Sequence, residues 1–179
     1  LQLAKKNKVK NFIYASSGSV YGVKKERFVH EDLNLDPISL YNKTKMCSER
    51  VVLSFKEELN VKVIRPATVC GYSPRMRFDV SVNALTSSAF LNKKIIVQGG
   101  DQIRPNIHID DLTDLYLYFL EKKTKGIIFN AGFENLSIRK IAKTVQKHVK
   151  SDIIFQKNVT DPRSYRLDSS KLLKTGFKP

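Results

Sequence analysis

A strand expected over residues 9–15 ends in Phe12-Ile-Tyr-Ala15 and runs straight into Ser16-Ser-Gly-Ser19, a small polar turn. This strand is apolar enough to be buried on both faces, as the central strands of a parallel sheet are. Similar runs recur at residues 61–67 and 126–130, with helical periodicity between them. Strands alternating with helices predict an α/β fold on a mainly parallel sheet. Ligand crevices in such sheets lie outside the carboxyl ends of the strands. Ser16 and Ser17 fall at one of those ends, and either could serve a ligand.

Ser39 reads as the N-cap of a helix reaching about residue 59, with Leu40, Cys47, Val51, Val52 and Phe55 keeping roughly a helical period. Tyr41 and Lys45 lie four apart, on one face and about 6 Å apart along the axis. The phenol and the ammonium can therefore reach one pocket. The spacing alone says little, because three of the 7 tyrosines have a lysine four residues later: Tyr21, Tyr41 and Tyr118. Context separates them. Tyr21 precedes Gly22 in an expected loop, and Tyr118 falls inside the apolar run Leu115-Tyr-Leu-Tyr-Phe-Leu120. Only Tyr41 opens a helix that follows a strand ending in serines.

The remaining expectations are coarse. Residues 16–38 and 68–79 read as loops, the second carrying Gly71, Pro74 and two arginines. Helices are expected over 79–91, from a cap at Asp110 or Asp111, and from a cap at Ser137. Short strands are expected at 95–97 and 153–155, and an arginine-bearing stretch at 161–168. Only two or three good central strands are present, so the sheet reads as incomplete. No Gly-x-Gly-x-x-Gly turn for a dinucleotide pyrophosphate occurs among the 8 glycines.

At 179 residues, 41% hydrophobic and 27% charged, the composition is that of an ordinary globular chain with material for a core. No stretch approaches the roughly 20 apolar residues that span a bilayer, and no signal-peptide pattern opens the chain. Cys47 and Cys70 are too few for a disulfide framework or a metal cluster; each reads as a buried or half-buried thiol, and a cytoplasmic setting fits. The net charge of +15 allows three readings: a nucleic-acid surface, attraction of anionic small molecules, or lysines spread over solvated faces. Lysines occur in every segment, which favours the last two.

Four motifs appear in order: Phe12-Ile-Tyr-Ala-Ser-Ser-Gly-Ser-Val-Tyr-Gly22, Tyr41-Asn-Lys-Thr-Lys45, Val63-Ile-Arg-Pro-Ala67 and Arg104-Pro-Asn-Ile-His-Ile-Asp-Asp111. Together they closely resemble the extended short-chain dehydrogenase/reductase family, specifically its nucleotide-sugar epimerases and dehydratases. Asp168-Ser-Ser-Lys171 and Gly176-Phe-Lys-Pro179 look like that family's C-terminal region. Members begin with a glycine-rich β-α-β unit that binds NAD, and this sequence looks like an internal fragment starting after it. The resemblance implies an incomplete Rossmann-like, doubly wound sheet. Residues 1–74 and 105–132 would belong to the NAD-binding domain, and 75–104 and 133–179 to a smaller C-terminal substrate-binding region.

Residue roles also follow from the resemblance. Tyr41 would be the acid/base that moves a sugar hydroxyl proton while hydride passes to or from nicotinamide. Tyrosine titrates near pH ~10 in water, and a neighbouring cation favours its phenolate. Lys45 would supply that charge and hold the nicotinamide ribose, with Ser16 and Pro66 also beside the cofactor. Ser17 would orient the reacting hydroxyl. Arg104 aligns with a contact to the nucleotide diphosphate, which suits the planar guanidinium fork. Arg163 is a second clamp, with Arg77 and Arg166 as rivals. Thr68 and Asn83 align with polar contacts to the nucleotide-sugar, while His108 braces its loop. No metal is implied.

The turn after Ser17 selects a branch. The 4,6-dehydratases carry an acidic pair where this chain has Gly18 and Ser19, and the 3,5-epimerising branch places a cysteine at Ser19. The expected activity is an NAD-dependent nucleotide-sugar epimerase, a homodimer when full length, binding neither nucleic acid nor membrane. The alternatives are a dehydratase or reductase of the same family, or, in another class, a non-catalytic basic binding module.

Overall fold

The computed structural model describes residues 1–157 and 164–179. In chain order its elements are α1 (Gln2–Lys6), β1 (Asn11–Ala15), a 3-10 turn (Gly18–Tyr21), α2 (Leu40–Leu53), β2 (Asn60–Pro66), β3 (Thr68–Cys70), α3 (Ser81–Asn92) and β4 (Lys94–Gln98). Then follow β5 (Ile103–His108), α4 (Ile109–Glu121), β6 (Ile128–Ala131), β7 (Glu134–Ser137), α5 (Ile138–His148), β8 (Asp152–Gln156) and α6 (Ser170–Leu173).

β2 is the middle strand of a parallel sheet ordered β1-β2-β6. Successive side chains of a strand point to opposite faces, and β2 uses both. Val61 and Val63 pack with Val52 and Leu59 on the α2 side. Ile64 packs with Leu112, Leu115 and Phe119 of α4 and Leu172 of α6 on the other. Helices therefore cover both faces, as expected of a doubly wound sheet. Val63 and Ile64 are 0% exposed, and each such side chain contributes about 1.5–3 kcal/mol. A separate cluster joins α3, α5 and β4 through Ala89, Ile95, Val97, Ile141, Ala142 and Val145. The described residues also form two smaller sheets, β3-β5-β7 and β4-β8. The tail returns to the first core through Leu167, Leu172 and Phe177.

Several local expectations change. Residues 68–70 are a strand rather than loop, pairing with Asn106, Ile107 and His108. The stretch 16–38 is not merely polar surface, because Val20, Tyr21 and Val29 are buried and Val29 bridges to Leu167. α4 is capped by His108, whose Nδ1 accepts the Asp110 N–H at 3.3 Å, not by Asp110 or Asp111. Leu40, Cys47 and Val51 of α2 face outward, whereas Asn42, Glu49 and Val52 are buried. The polar face turns inward because it has partners there.

Gly22 ends the 3-10 turn at φ +71°, and a Cβ on it would lie 1.9 Å from the Asp36 carbonyl oxygen. Gly22→Ala is expected to lower stability by about 1–3 kcal/mol from the backbone alone, read as a lower melting temperature of the intact protein. An unchanged melting curve would contradict this packing of the 16–38 segment.

Candidate active site

A cleft of ≈ 960 Å³ opens where β1 and β2 end, lined by Ser16, Ser17, Tyr41, Pro66, Thr68, Asn83 and Arg104 among others. Seven of the nine residues singled out from sequence thus share one cavity. Lys45 stands immediately behind it. Its Nζ lies 5.7 Å from the Tyr41 ring centroid and 5.2 Å from that of Tyr14, and it donates to the Ala15 carbonyl oxygen at 2.7 Å. The strand end therefore fixes the ammonium, and α2 brings the phenol to the same side. Tyr41 is 56% exposed, so its ring faces the cavity rather than the core. Arg163 lies outside the described residues.

The serines differ sharply. Ser16 is buried and donates to Glu49 Oε1. Ser17 caps the 3-10 turn by accepting from the Ser19 N–H at 3.2 Å, and its Oγ lies 2.7 Å from Ser19 Oγ. Ser19 in turn donates to Asn42 Oδ1 at 2.7 Å. Ser17 is thus at the cleft surface, while Ser16 belongs to the buried network beneath it.

That network was not foreseen. Arg65 donates to both oxygens of Glu49, at 3.0 and 2.7 Å, and to Tyr21 Oη at 2.8 Å. Tyr21 donates to Asn130 Oδ1 at 2.8 Å. Burial pushes the Tyr21 phenol up to about 12 against the pull of Arg65, so it is a structural neutral phenol. Burial by itself would lower the Arg65 guanidinium, but the bonds and charge of Glu49 and Tyr21 leave it raised. One signal could have found Glu49: it stands four residues after Lys45 and eight after Tyr41, on the same helix face.

Among the described residues, Arg75, Arg77 and Arg104 line the cleft together with one carboxylate, Asp79. Arg77 holds Asp79 at 3.0 and 2.7 Å and keeps that carboxyl below its ordinary range. Arg104 is half-buried in β5, whereas Arg166 is not among the cleft residues. Asn83 uses its amide on the loop above β3, accepting from the Gly71 N–H at 3.1 Å and donating to the Arg77 carbonyl at 2.9 Å. Cys70 also lines the cleft, its thiol pushed up by burial and by the nearby Glu134 and Asp111 charges. Among the described residues no group of three His, Cys, Asp or Glu could hold a metal ion, and no helix is long and apolar enough to cross a membrane.

Fold and cleft define an α/β protein of the Rossmann class with a cleft at the strand ends. Residues 1–132 match the NAD dependent epimerase/dehydratase family, and the chain belongs to that family. Among similar curated proteins is the UDP-glucose 4-epimerase of Lactobacillus helveticus, 27% identical over an alignment of 208 residues covering 100% of this chain and 62% of that protein. The dTDP-D-glucose 4,6-dehydratase of Bos taurus is 26% identical over 186 residues, covering 96% and 52%. A solved UDP-glucuronic acid 4-epimerase from Bacillus cereus, in complex with UDP-glucuronic acid and NAD, superposes with a TM-score of 0.82 at 30% identity, covering 99% of this chain and 59% of that one. The chain thus spans little more than half the length of these relatives.

Proposed function

We propose that the protein carrying this chain is an NAD-dependent nucleotide-sugar epimerase that transiently oxidises a sugar hydroxyl. The observation carrying this reading is the convergence of Tyr41, backed by Lys45, with Ser17 in one cleft lined by arginines. The residues present fit the nicotinamide-ribose end of NAD. Lys45 has three ammonium protons, of which one goes to Ala15, and it stands beside the acid/base phenol. When bound, NAD supplies the hydride acceptor and donor for the sugar carbon. Tyr41 takes the hydroxyl proton as the sugar is oxidised and returns it when the sugar is reduced. Ser17 orients the reacting oxygen, and Ser16 and Pro66 shape the cofactor side. Arg104, with Arg163, holds the diphosphate; Thr68 faces the nucleotide-sugar, and Asn83 shapes its loop.

In this reading residues 1–74 and 105–132 form the cofactor half, and 75–104 and 133–179 the nucleotide-sugar half. The distinct cluster of α3, α5 and β4 supports that division. The outward apolar face of α2, with Leu40 and Val51, supports a homodimer of the full-length protein. Epimerisation is favoured over dehydration because water loss needs an acid beside Ser17. Among the described residues one carboxylate lines the cleft, Asp79, and it is already held by Arg77.

Product analysis tests the reading. The intact protein with NAD is incubated with UDP-glucose, UDP-glucuronic acid or dTDP-glucose, and the sugars are followed by NMR. An epimer with one inverted hydroxyl is expected. A keto-deoxy sugar would make the protein a dehydratase, and no conversion of any of the three would remove the proposal.

A further inference from the structure

Ser17 has one proton, and the structure gives it two possible destinations: the cleft or Ser19. A hydroxyl donates once and accepts twice. Ser19 directs its own proton to Asn42 Oδ1 at 2.7 Å. The 2.7 Å contact between the two serine oxygens can then be made only by the Ser17 proton. Ser17 also accepts the Ser19 N–H at 3.2 Å, so in this arrangement it offers the cleft a lone pair and no proton.

Asn42 controls that direction. Its amide has an accepting end and a donating end of nearly the same size. With the N–H end towards Ser19, Asn42 donates to Ser19, Ser19 donates to Ser17, and the Ser17 proton is released to the cleft. Asn42 is 4% exposed and follows Tyr41 directly, its backbone N–H anchored on the Ser39 cap at 3.2 Å. The residue is therefore held in place, and reversing the hydrogen-bond chain would require only its terminal group to turn. A sugar hydroxyl can donate or accept, but the carbonyl formed on oxidation only accepts. At that stage Ser17 has to donate.

We propose that Asn42, acting through Ser19, sets the hydrogen-bond direction of Ser17 and lets it reverse between the alcohol and carbonyl stages of the reaction. Asn42 and Ser19 are positioning residues; neither touches the reacting atoms. The inference rests on the proposed roles of Ser17 and Tyr41.

Asn42→Asp keeps the shape but offers only acceptors when ionised, which locks the Ser17 proton on Ser19. With NAD and the three sugar nucleotides named above, this variant is expected to lose about tenfold to a hundredfold in kcat, with KM moving less than about threefold. Adding Ser19→Ala removes the acceptor that traps the proton and should restore about fivefold or more of the lost kcat, a non-additivity that independent structural damage would not produce. Asn42→Leu, which has neither end, leaves Ser19 free to donate to Ser17. It should therefore retain more turnover than the chemically closer aspartate.

A kcat for Asn42→Asp within about twofold of the natural protein, or a loss that Ser19→Ala deepens, overturns the inference. If the aspartate variant has no cooperative melting transition, Asn42→Leu decides. A loss of about a hundredfold or more there overturns the inference, and a smaller loss with KM unchanged supports it. Active Tyr41→Phe, or no turnover by the natural protein, would instead sink the site reading and this inference together. Inactive Tyr41→Phe beside fully active Asn42→Asp would sink the inference alone.

Discussion

Tyr41→Phe in the intact protein is expected to lower turnover by about 10²–10⁴-fold while leaving sugar-nucleotide affinity nearly unchanged. The substitution removes one oxygen from a ring that is 56% exposed in the cleft. Among the described residues no buried partner is left unsatisfied by the loss, and Lys45 keeps its bond to Ala15, so the fold should be little affected. The proposed diphosphate contacts lie on other elements, β5 among them, and do not involve the phenol. Binding and proton transfer are therefore separable at this residue. A uniform loss of binding would instead raise KM and leave kcat alone. Calorimetric titration with UDP-glucose measures the first quantity and product NMR the second. Turnover within about threefold of the natural protein would leave the phenol without a chemical role.

The parts of this site that were legible in the sequence are the local ones. Tyr41 and Lys45 are tied by helix spacing, and Ser16 and Ser17 by the end of a strand, so neighbouring residues sufficed to place them. Parts that depend on distant partners were not legible. Arg65 meets Glu49 across 16 positions and Tyr21 across 44, and nothing in a run of β2 residues announces either. Tyr21 read as loop because Gly22 follows it, yet its phenol is enclosed between Arg65 and Asn130. β3 was hidden because three residues between turn signals carry little periodicity, and its partner β5 lies far along the chain. The face of α2 was misjudged for a related reason. Apolar spacing gave Leu40, Cys47, Val51, Val52 and Phe55, of which Val52 and Phe55 join the core and the other three face outward. The side that enters the protein also carries Glu49 and Asn42, which have partners there.

Glu49→Ala is expected to destabilise the protein by about 3–5 kcal/mol, because it leaves a buried guanidinium without its counter-charge. Arg65 and Glu49 are 3% and 1% exposed, so water cannot replace the missing carboxylate. Ser16 loses its acceptor in the same step, while Tyr21 still has Asn130. For a chain of this size the melting temperature should fall by on the order of 10 °C. The double variant Glu49→Leu with Arg65→Met should recover much of that loss, because replacing both members of a buried pair by apolar groups of similar volume is often near neutral. Recovery of turnover should not follow recovery of stability. Ser16 would still lack the carboxylate that fixes the turn carrying Ser17, and small displacements of positioning groups cost rate far more than stability. Melting curves and kcat of the same three proteins measure both. Equal melting temperatures for Glu49→Ala and the natural protein would show that the pair carries no net stability. A double variant with full turnover would show that the turn carrying Ser17 does not depend on the pair beneath it.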